Sequence, residues 1–359
     1  MSVARILKTP FYLAQVATGA KSFEANPVIG SRRLNERGLH RRRVDLAMRL
    51  AERRRRGLGG VTEAQRAQYA EEGFVRVEDF LSDEAFRAVL RELEAPFERH
   101  DMIQGRTVTR RCLIDDRDLR ARPALRGARD DARLRDLLRH VASHGGEPLV
   151  TLQVVMAEAT GRATDEATGG TSGGGVAADP QTMLHADTFH PTAKAWLFLR
   201  DVGADDGPFS YVPGSHRVTP ARMDWEEAIA AGRMEAVDRY ARRGSLRVRA
   251  DELGALGYGA PQAMTVRANT LVVADTHGFH ARTASPKPTT RIEVYGSLRR
   301  NPFVPVNLPS PAALPGLKGR TNRLVIDGLA LLGRAGLKAS PWHDVGTGPA
   351  DEWSPLLQG

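Results

Sequence analysis

The chain has 359 residues, of which 41% are hydrophobic and 26% charged, and its formal net charge is +9. This composition is typical of a globular protein and excludes a disordered or fibrous one, while the single cysteine, Cys112, excludes an intramolecular disulfide and a zinc site built from several thiolates. No apolar run approaches the roughly 20 residues that cross a bilayer, so we expect a cytoplasmic protein.

The first 60 residues are a basic extension, residues 1–60, with a helix predicted from Gly38 to Arg56. Its arginines cluster at Arg41-Arg42-Arg43 and at Arg53-Arg54-Arg55-Arg56. No aromatic residues alternate with them for base stacking, so nucleic-acid binding is disfavoured and a solvated helix face is favoured. Peripheral contact with an anionic membrane surface stays open, because basic residues and a loose apolar stripe share this helix.

The main domain is expected to span residues 61–306 and opens with helices. We predict helices at Glu63 to Glu72, from Ser82 to about Phe97 and at Asp130 to His144, with a short strand at Phe74 to Val77. Thr62 and Ser82 are favourable N-cap residues, and Gly73 can end the first helix. These helices precede most of the predicted strands, so we expect them to flank a β core.

Short strands alternate with turns from Val150 to about Phe303. Strands are predicted at Val150 to Ala157, Ala195 to Leu199, Phe209 to Val212, Asn269 to Ala274 and Ile292 to Leu298. Thr160 to Pro180 is rich in glycine, threonine and alanine and is predicted to be a loop, and Pro220 to Arg243 is a helical insertion. Short strands with long insertions favour a mainly β fold of the jelly-roll type. Residues 307–359 are predicted to be a loop-rich tail, with one helix from Thr321 to Leu332.

The stretch Gln181-Thr-Met-Leu-His185-Ala-Asp187 places an imidazole and a carboxylate two residues apart. On a strand, such side chains share one face and can point to one centre. Together with one further histidine they would form the facial triad of an iron oxygenase, which leaves coordination positions open. The spacing alone arises often by chance, so two polar residues at a solvated strand end are the competing interpretation.

The further histidine is expected after the strand that ends at Ala274, where the chain contains His277-Gly-Phe-His280. Either His277 or His280 could supply the third ligand. A turn-rich connector then leads to Arg291, and a hairpin of this shape returns Arg291 towards His280. The forked donors of an arginine suit the far carboxylate of a dicarboxylate cosubstrate. The competing interpretation of Arg291 is a surface charge next to Glu293.

Four blocks of sequence resemble the phytanoyl-CoA dioxygenase family of Fe(II)/2-oxoglutarate-dependent dioxygenases. They are Ala70 to Leu81, His185 with Asp187, Asp206 to His216 with its Pro-Gly-Ser-His turn, and His280 with Arg291. The resemblance implies a double-stranded β-helix, which is a cupin-like jelly-roll variant. It implies Fe(II) held by His185, Asp187 and His280, since His280 lies at the family's distance from Arg291. It also implies 2-oxoglutarate bound by Arg291, with dioxygen as the second cosubstrate.

Five more residues have expected roles at this site. Thr182 and Gln153 are candidates to donate hydrogen bonds to 2-oxoglutarate, and His190, Trp196 and Arg282 are candidates to lie near the substrate or behind the metal ligands. Arg282 departs from the family, in which a small hydroxyl residue at this position often assists the cosubstrate. Either a different arrangement or an additional contact to an anion is therefore expected there.

The sequence thus predicts a non-haem Fe(II)- and 2-oxoglutarate-dependent oxygenase. Relatives that halogenate carry a small residue in place of Asp187, so the carboxylate favours hydroxylation. The substrate is expected to be a small molecule, anionic or lipid-like in view of the basic charge, and the loop from Thr160 to Pro180 is a candidate lid. The alternative is a non-catalytic binding protein on the same scaffold, with residues 1–60 as its interaction surface. The sequence predicts no oligomeric state.

Overall fold

A large antiparallel sheet forms the centre of the fold. The structure is a computed structural model, and it describes residues 9–159, 179–235 and 238–357 apart from residues 309, 315, 318 and 338. The strands of the large sheet are, in spatial order, β1 (Phe74–Val77), β8 (Thr270–Asp275), β5 (Ala193–Phe198), β10 (Thr289–Leu298), β4 (Leu149–Ala157), β3 (Thr107–Cys112), β2 (Phe97–Gln104) and β11 (His343–Gly348). A smaller sheet has the order β7 (Gln262–Ala263), β6 (Phe209–Tyr211) and β9 (His280–Arg282). The fold is therefore mainly β, with helices around the sheets.

Helices precede, interrupt and follow the strands. They span Thr9–Val16, Arg32–Asn35, Leu39–Arg56, Glu63–Glu72, Asp83–Glu92, Pro123–Asp130, Ala132–Ala142, Pro220–Ala230, Arg239–Arg242 and Thr321–Arg334. Short 3₁₀ turns lie at Ala204–Asp206, Ala250–Glu252, Pro311–Ala313 and Pro355–Leu357. The described residues contain no helix that combines the length and the apolar character needed to cross a membrane.

The first helix of the main domain shows how the local sequence sets its boundaries. Thr62 caps the helix with a reciprocal capping box to Gln65, which satisfies two exposed amide groups. Gly73 ends the helix with φ 86°. A Cβ at Gly73 would lie 2.5 Å from Nδ1 of His216 and 2.6 Å from the Tyr211 hydroxyl, so only glycine fits this turn. The chain then enters β1 at the next residue.

The large sheet separates two apolar layers because successive side chains of a strand point to opposite faces. One face packs against the helices Asp83–Glu92 and Ala132–Ala142, with core residues that include Val154, Leu197, Val273 and Val294. The other face carries Trp196, Phe198, Val272, Ala274 and Tyr295, and it packs against Phe209 and Tyr211 of the smaller sheet. The space between the two sheets holds the candidate active site.

The basic extension packs against the main domain through buried arginines. Arg43 donates to the carbonyls of Val16, Thr18 and Ala20, and Arg54 donates to those of Ser143, Pro302 and Val304. His40 contacts Glu226 at 2.7 Å with both side chains buried. A solvated face was predicted for this helix, and that prediction is wrong for Arg43 and Arg54, since backbone carbonyls replace water around their guanidinium groups.

The strands β2, β3 and β11 depart from the predicted elements. The predicted helix from Ser82 to about Phe97 ends at Glu92, and Phe97 begins a strand instead. This strand was missed because its sequence is polar. Asp101 on β2 faces Arg110 on β3, and the two side chains form a fully buried bidentate pair at 2.7 and 2.8 Å. The strand β11 lies in the predicted tail and pairs with β2. Of the predicted loop from Thr160 to Pro180, only residues 179 and 180 lie within the described residues.

Candidate active site

Backbone pairing holds His185 and His280 side by side. They form an isolated antiparallel bridge in which the His185 amide donates to the His280 carbonyl at 2.9 Å and the His280 amide donates back at 3.0 Å. Residues directly opposite each other in such a pair project their side chains to the same side. The two ring centroids are 4.4 Å apart, and both imidazoles are buried.

A tight turn delivers His280 to this position. The Tyr211 hydroxyl donates to the Asp275 carbonyl at 2.9 Å and lies over the backbone of Gly278. A Cβ at Gly278 would be 2.0 Å from that hydroxyl oxygen, so any side chain there would displace the tyrosine. The turn between β8 and β9 therefore depends on this close approach.

Asp187 completes a cluster with the two histidines. Its amide donates to the Thr276 carbonyl at 2.8 Å. Its Oδ1 lies 3.7 Å from Nε2 of His185 and 3.8 Å from Nε2 of His280. The three ligand atoms lie within 4.8 Å of one another, and no other group of three His, Cys, Asp or Glu side chains in the described part of the chain has this geometry. The Asp187 side chain is 24% exposed, so the cluster is accessible from one side.

The hydrogen bonds of the two imidazoles suit a metal ligand. Nδ1 of His185 lies 2.8 Å from the Met183 carbonyl, and Nδ1 of His280 lies 2.9 Å from the Gly278 carbonyl. Each Nδ1 must therefore carry the proton, which leaves a lone pair on each Nε2. Neither buried Nε2 has a hydrogen-bond partner among the described residues. Burial lowers the pKa of His185 well below its usual range and that of His280 to about 4, so both stay neutral at pH 7. These residues fit a divalent metal ion.

Lys194 fixes the carboxylate of the cluster. Its Nζ lies 2.7 Å from Oδ2 of Asp187. This is the carboxylate oxygen that does not face the histidines. Burial opposes the charge of Asp187, but the ammonium group of Lys194 outweighs it and holds the pKa of the carboxyl well below its usual range. Asp187 therefore stays ionised, with Oδ1 directed to the imidazoles.

His277 lies outside this cluster. Its Nδ1 lies 2.8 Å from the Thr188 carbonyl, and its own carbonyl accepts a hydrogen bond from Arg222 at 3.0 Å. Burial, with a contribution from the charge of Arg222, lowers the pKa of His277 to about 4. Of the two histidines that the sequence left as candidates, the structure brings His280 to His185 and Asp187.

Arg291 lies on β10 and is buried, so it is no surface charge. It shares a sheet face with Glu293 and Tyr295, and Tyr295 and Trp196 pack on that face between the two sheets. Its guanidinium donates to the Gly207 carbonyl. Within the described residues no carboxylate forms an ion pair with it. Burial lowers the pKa of Arg291, although the nearby charge of Glu293 opposes this shift. A buried arginine with free donors is suited to bind an anion.

The other predicted cosubstrate contacts have protein partners. The Gln153 amide donates to Oε1 of Glu293 at 3.0 Å, and the Thr182 hydroxyl donates to the Asp179 carbonyl at 2.8 Å. Arg282 forms an ion pair with Asp179 at 2.8 Å. The roles of Gln153, Thr182 and Arg282 toward 2-oxoglutarate and substrate stay predictions.

His190 and Trp196 occupy different surroundings. Nδ1 of His190 lies 3.0 Å from the Pro191 carbonyl, while its buried Nε2 has no partner among the described residues. Trp196 packs on Phe209 with ring centroids 4.4 Å apart, and Phe209 lies 5.9 Å from the His280 ring. Trp196 therefore supports the ring that covers a ligand of the cluster.

Three cations near the cluster were not predicted from the sequence. Lys194 lies two residues before Trp196 on β5. This spacing could have predicted that both side chains lie on the face of the sheet that borders the site. Lys21 donates to the Asp187 carbonyl across 166 positions of sequence, a contact that no local signal indicates. Arg247 pairs through its backbone with His185 and stacks 4.4 Å from the ring centroid of Tyr240. Burial lowers the pKa of Lys21 to about 8, and Arg299 adds to this shift.

The sequence matches the model of one protein family, described as Phytanoyl-CoA dioxygenase (PhyH), over residues 69–248. This stretch contains His185, Asp187 and Lys194. None of the curated proteins compared with the chain matches it.

Several solved structures are similar to the chain. One is the epimerase SnoN in complex with Fe3+, alpha ketoglutarate and nogalamycin RO, with 18% identity, a TM-score of 0.40, and coverage of 66% of this chain and 82% of that one. Another is HygX from Streptomyces hygroscopicus with nickel, 2-oxoglutarate and hygromycin B, with 17% identity, a TM-score of 0.39, and coverage of 66% and 86%. The carbocyclase SnoK from nogalamycin biosynthesis has 21% identity, a TM-score of 0.37, and coverage of 67% and 84%. These identities and TM-scores are low, so family membership rests on the family match, and the role of the cluster rests on its geometry.

Proposed function

Since the chain belongs to the phytanoyl-CoA dioxygenase family, we propose that it is a non-haem Fe(II)- and 2-oxoglutarate-dependent oxygenase that acts on a small molecule. The observation that carries the proposal is the cluster of His185, Asp187 and His280, whose ligand atoms lie within 4.8 Å of one another. The family match ends at residue 248, so the roles of His280 and Arg291 rest on geometry.

His185, Asp187 and His280 would hold the metal through two neutral imidazoles and one carboxylate. This is the ligand set of the facial triad, and it leaves positions for cosubstrate and oxygen. The bound Fe(II), together with 2-oxoglutarate, supplies oxidation of a C–H bond by dioxygen, coupled to decarboxylation of the cosubstrate. The protein contributes the protonation state of the ligands: the carbonyls of Met183 and Gly278 keep each imidazole in the tautomer that presents Nε2.

Arg291 would bind the far carboxylate of 2-oxoglutarate. It is buried, it lies on the face of the sheet that borders the site, and it has no carboxylate partner among the described residues. Its planar donors match a carboxylate in two parallel hydrogen bonds. Gln153 and Thr182 are candidates for further contacts with the cosubstrate.

We propose that the two sheets form a double-stranded β-helix. The bridges of His185 with His280 and with Arg247 extend the smaller sheet next to β9, so that two β layers face each other around the cluster. Hydroxylation is the reaction that the ligand set favours, because the Asp187 carboxylate occupies the position that a halogenating enzyme leaves to chloride. The substrate is a small molecule of anionic or lipid-like character.

The test is an anaerobic titration of the full chain with Fe(II) and 2-oxoglutarate, followed by addition of air. We expect a visible absorption band of the metal–cosubstrate chelate, and succinate release once oxygen enters. The variant Asp187→Ala should lose the band, whereas Asp251→Ala, a matched change at an exposed aspartate that forms an ion pair with Arg249, should keep it. Absence of the band in the unmodified chain would instead favour a non-catalytic binding protein on the same scaffold.

A further inference from the structure

Four positively charged side chains lie near the metal-ligand cluster. Lys194 pairs with the Asp187 carboxylate at 2.7 Å, and Lys21 donates to the Asp187 carbonyl. Arg247 is held beside His185 by a backbone bridge, and Arg299 donates to the Gly19 carbonyl at 3.4 Å, two residues before Lys21. Each of the four cations, which come from separate parts of the chain, lies close enough to Asp187 to interact with it electrostatically.

Within the part of the chain that the structure describes, two of these four cations have no carboxylate partner. Lys194 is compensated by Asp187, and Arg247 forms an ion pair with Asp238 at 3.0 Å. No ion pair of Lys21 or Arg299 with a carboxylate is present among the described residues, whose contacts with these two groups are to backbone carbonyls. A divalent metal and the dianion of 2-oxoglutarate cancel each other, so loading the site leaves this excess of positive charge in place.

The uncompensated cations are accessible. Lys21 is half-buried and Arg299 is exposed, and the side chains of Asp187 and Lys194 are 24% and 25% exposed. Solvent therefore reaches Asp187 and both cations, and Lys21 contacts the backbone of Asp187 itself. A partly enclosed pair of cations concentrates field lines and attracts anions.

We propose that Lys21 and Arg299 bind an anionic group of the substrate, a carboxylate, phosphate or sulfate, and so place the adjacent part of the molecule at the metal. This inference rests on the proposed function, because it assumes that the cluster holds a metal that acts on a substrate. It assigns a role in substrate recognition to the basic extension, because Lys21 belongs to residues 1–60. Carboxylate, phosphate and sulfate share the charge and the acceptor oxygens that a lysine and an arginine recognise.

The test uses phenyl phosphate and benzenesulfonate as anionic probes, with benzyl alcohol as the neutral probe. The full chain is loaded anaerobically with Fe(II) and 2-oxoglutarate, and the probe resonances are followed by NMR, since the paramagnetic metal broadens protons bound near it. We expect the anionic probes to bind and their resonances to broaden. The double variant Lys21→Gln/Arg299→Gln should bind these probes about tenfold more weakly, equivalent to about 1.4 kcal/mol. Arg32→Gln, at an exposed arginine of the same extension, is the matched control and should change nothing.

Two outcomes would overturn this inference while leaving the proposed function intact. One is equal affinity for benzyl alcohol and the anionic probes, and the other is unchanged anion binding by the double variant in protein that still forms the chelate band. Failure of the unmodified chain to form the band would count against the proposed function instead. The probe affinities of the metal-free chain, with and without the two substitutions, would still decide whether Lys21 and Arg299 bind anions.

Discussion

The ammonium group of Lys194 lies 2.7 Å from Oδ2 of Asp187, while Oδ1 of the same carboxylate faces Nε2 of His185 and of His280. One oxygen is thus occupied by a cation of the protein, and the other is left to a metal. The arrangement fixes both the charge and the orientation of the ligand before any metal binds. Lys194 is therefore a positioning residue.

Replacing Lys194 tests this role. Lys194→Met removes the cation that holds the Asp187 carboxylate, so we expect Fe(II) to bind about tenfold to 100-fold more weakly, the range typical for partners of metal ligands. The measurement is the dissociation constant of Fe(II) in an anaerobic titration. Lys194→Arg keeps the charge and should restore most of the affinity. Equal affinity of the methionine variant and the unmodified chain would show that the contact is dispensable.

Arg291 is predicted to affect the cosubstrate more than the metal. Arg291→Gln removes the forked charge, so the dissociation constant of 2-oxoglutarate should rise by at least about tenfold, equivalent to about 1.4 kcal/mol, while Fe(II) affinity stays within about twofold. The chelate band, titrated with 2-oxoglutarate at saturating Fe(II), and a separate Fe(II) titration give the two values. Arg291→Lys separates charge from geometry, since a lysine cannot reproduce two parallel hydrogen bonds. A parallel loss of metal and cosubstrate affinity in Arg291→Gln would point to misfolding rather than to a lost contact.

The buried pair of Asp101 and Arg110 should be much costlier to break than an exposed ion pair. Both side chains are fully buried, so Asp101→Asn leaves an unpaired guanidinium between β2 and β3. We expect the free energy of unfolding to fall by about 3–5 kcal/mol. The exposed pair of Arg200 and Asp351 is the control, and Arg200→Met should cost about 1 kcal/mol or less. Urea unfolding of the two variants and the unmodified chain measures the difference, and similar losses for both substitutions would refute the ranking.

Buried histidines away from the cluster predict a loss of stability in acid. Burial lowers the pKa of His140 and His144 to about 4 and that of His216 to about 3. In the unfolded chain these groups titrate near their ordinary pKa of about 6.5, so below that pH the unfolded state binds more protons.

The free energy of unfolding of the metal-free chain should therefore fall as the pH drops from 6.5 to 4, by about 1.4 kcal/mol per pH unit for each such histidine. His140→Gln should flatten the dependence, and His343→Gln, at an exposed position, should leave it unchanged. Denaturant unfolding at several pH values gives the slope. A stability that is constant over this range would mean that these imidazoles are protonated in the folded protein.

Much of the fold was predictable because local signals agreed with tertiary structure. Thr62 and Gly73 bound the helix Glu63–Glu72 as predicted, and the apolar residues of β4 and β8 coincide with strands that face two apolar layers. The strand β2 was not predictable, since its sequence is polar and its burial depends on Arg110 from the next strand. No pattern within β2 indicates that partner.

The candidate site divides in the same way. His185 and Asp187 stand two residues apart, so the sequence predicted that their side chains point the same way. The residues alone left His277 and His280 as alternatives for the third ligand, and the family resemblance favoured His280. Lys21 could not be predicted as a site residue, because its contact with Asp187 forms only when the basic extension packs on the main domain. Long-range contacts of this kind are determined by tertiary packing, and no local sequence pattern indicates them.

The most direct measurement is a crystal structure of the chain loaded anaerobically with Fe(II) and 2-oxoglutarate, with iron located by anomalous scattering. We predict one iron at about 2 Å from Nε2 of His185, Nε2 of His280 and Oδ1 of Asp187, with the far carboxylate of 2-oxoglutarate on Arg291. Iron bound elsewhere, at His277 for example, or 2-oxoglutarate without contact to Arg291, would contradict this assignment.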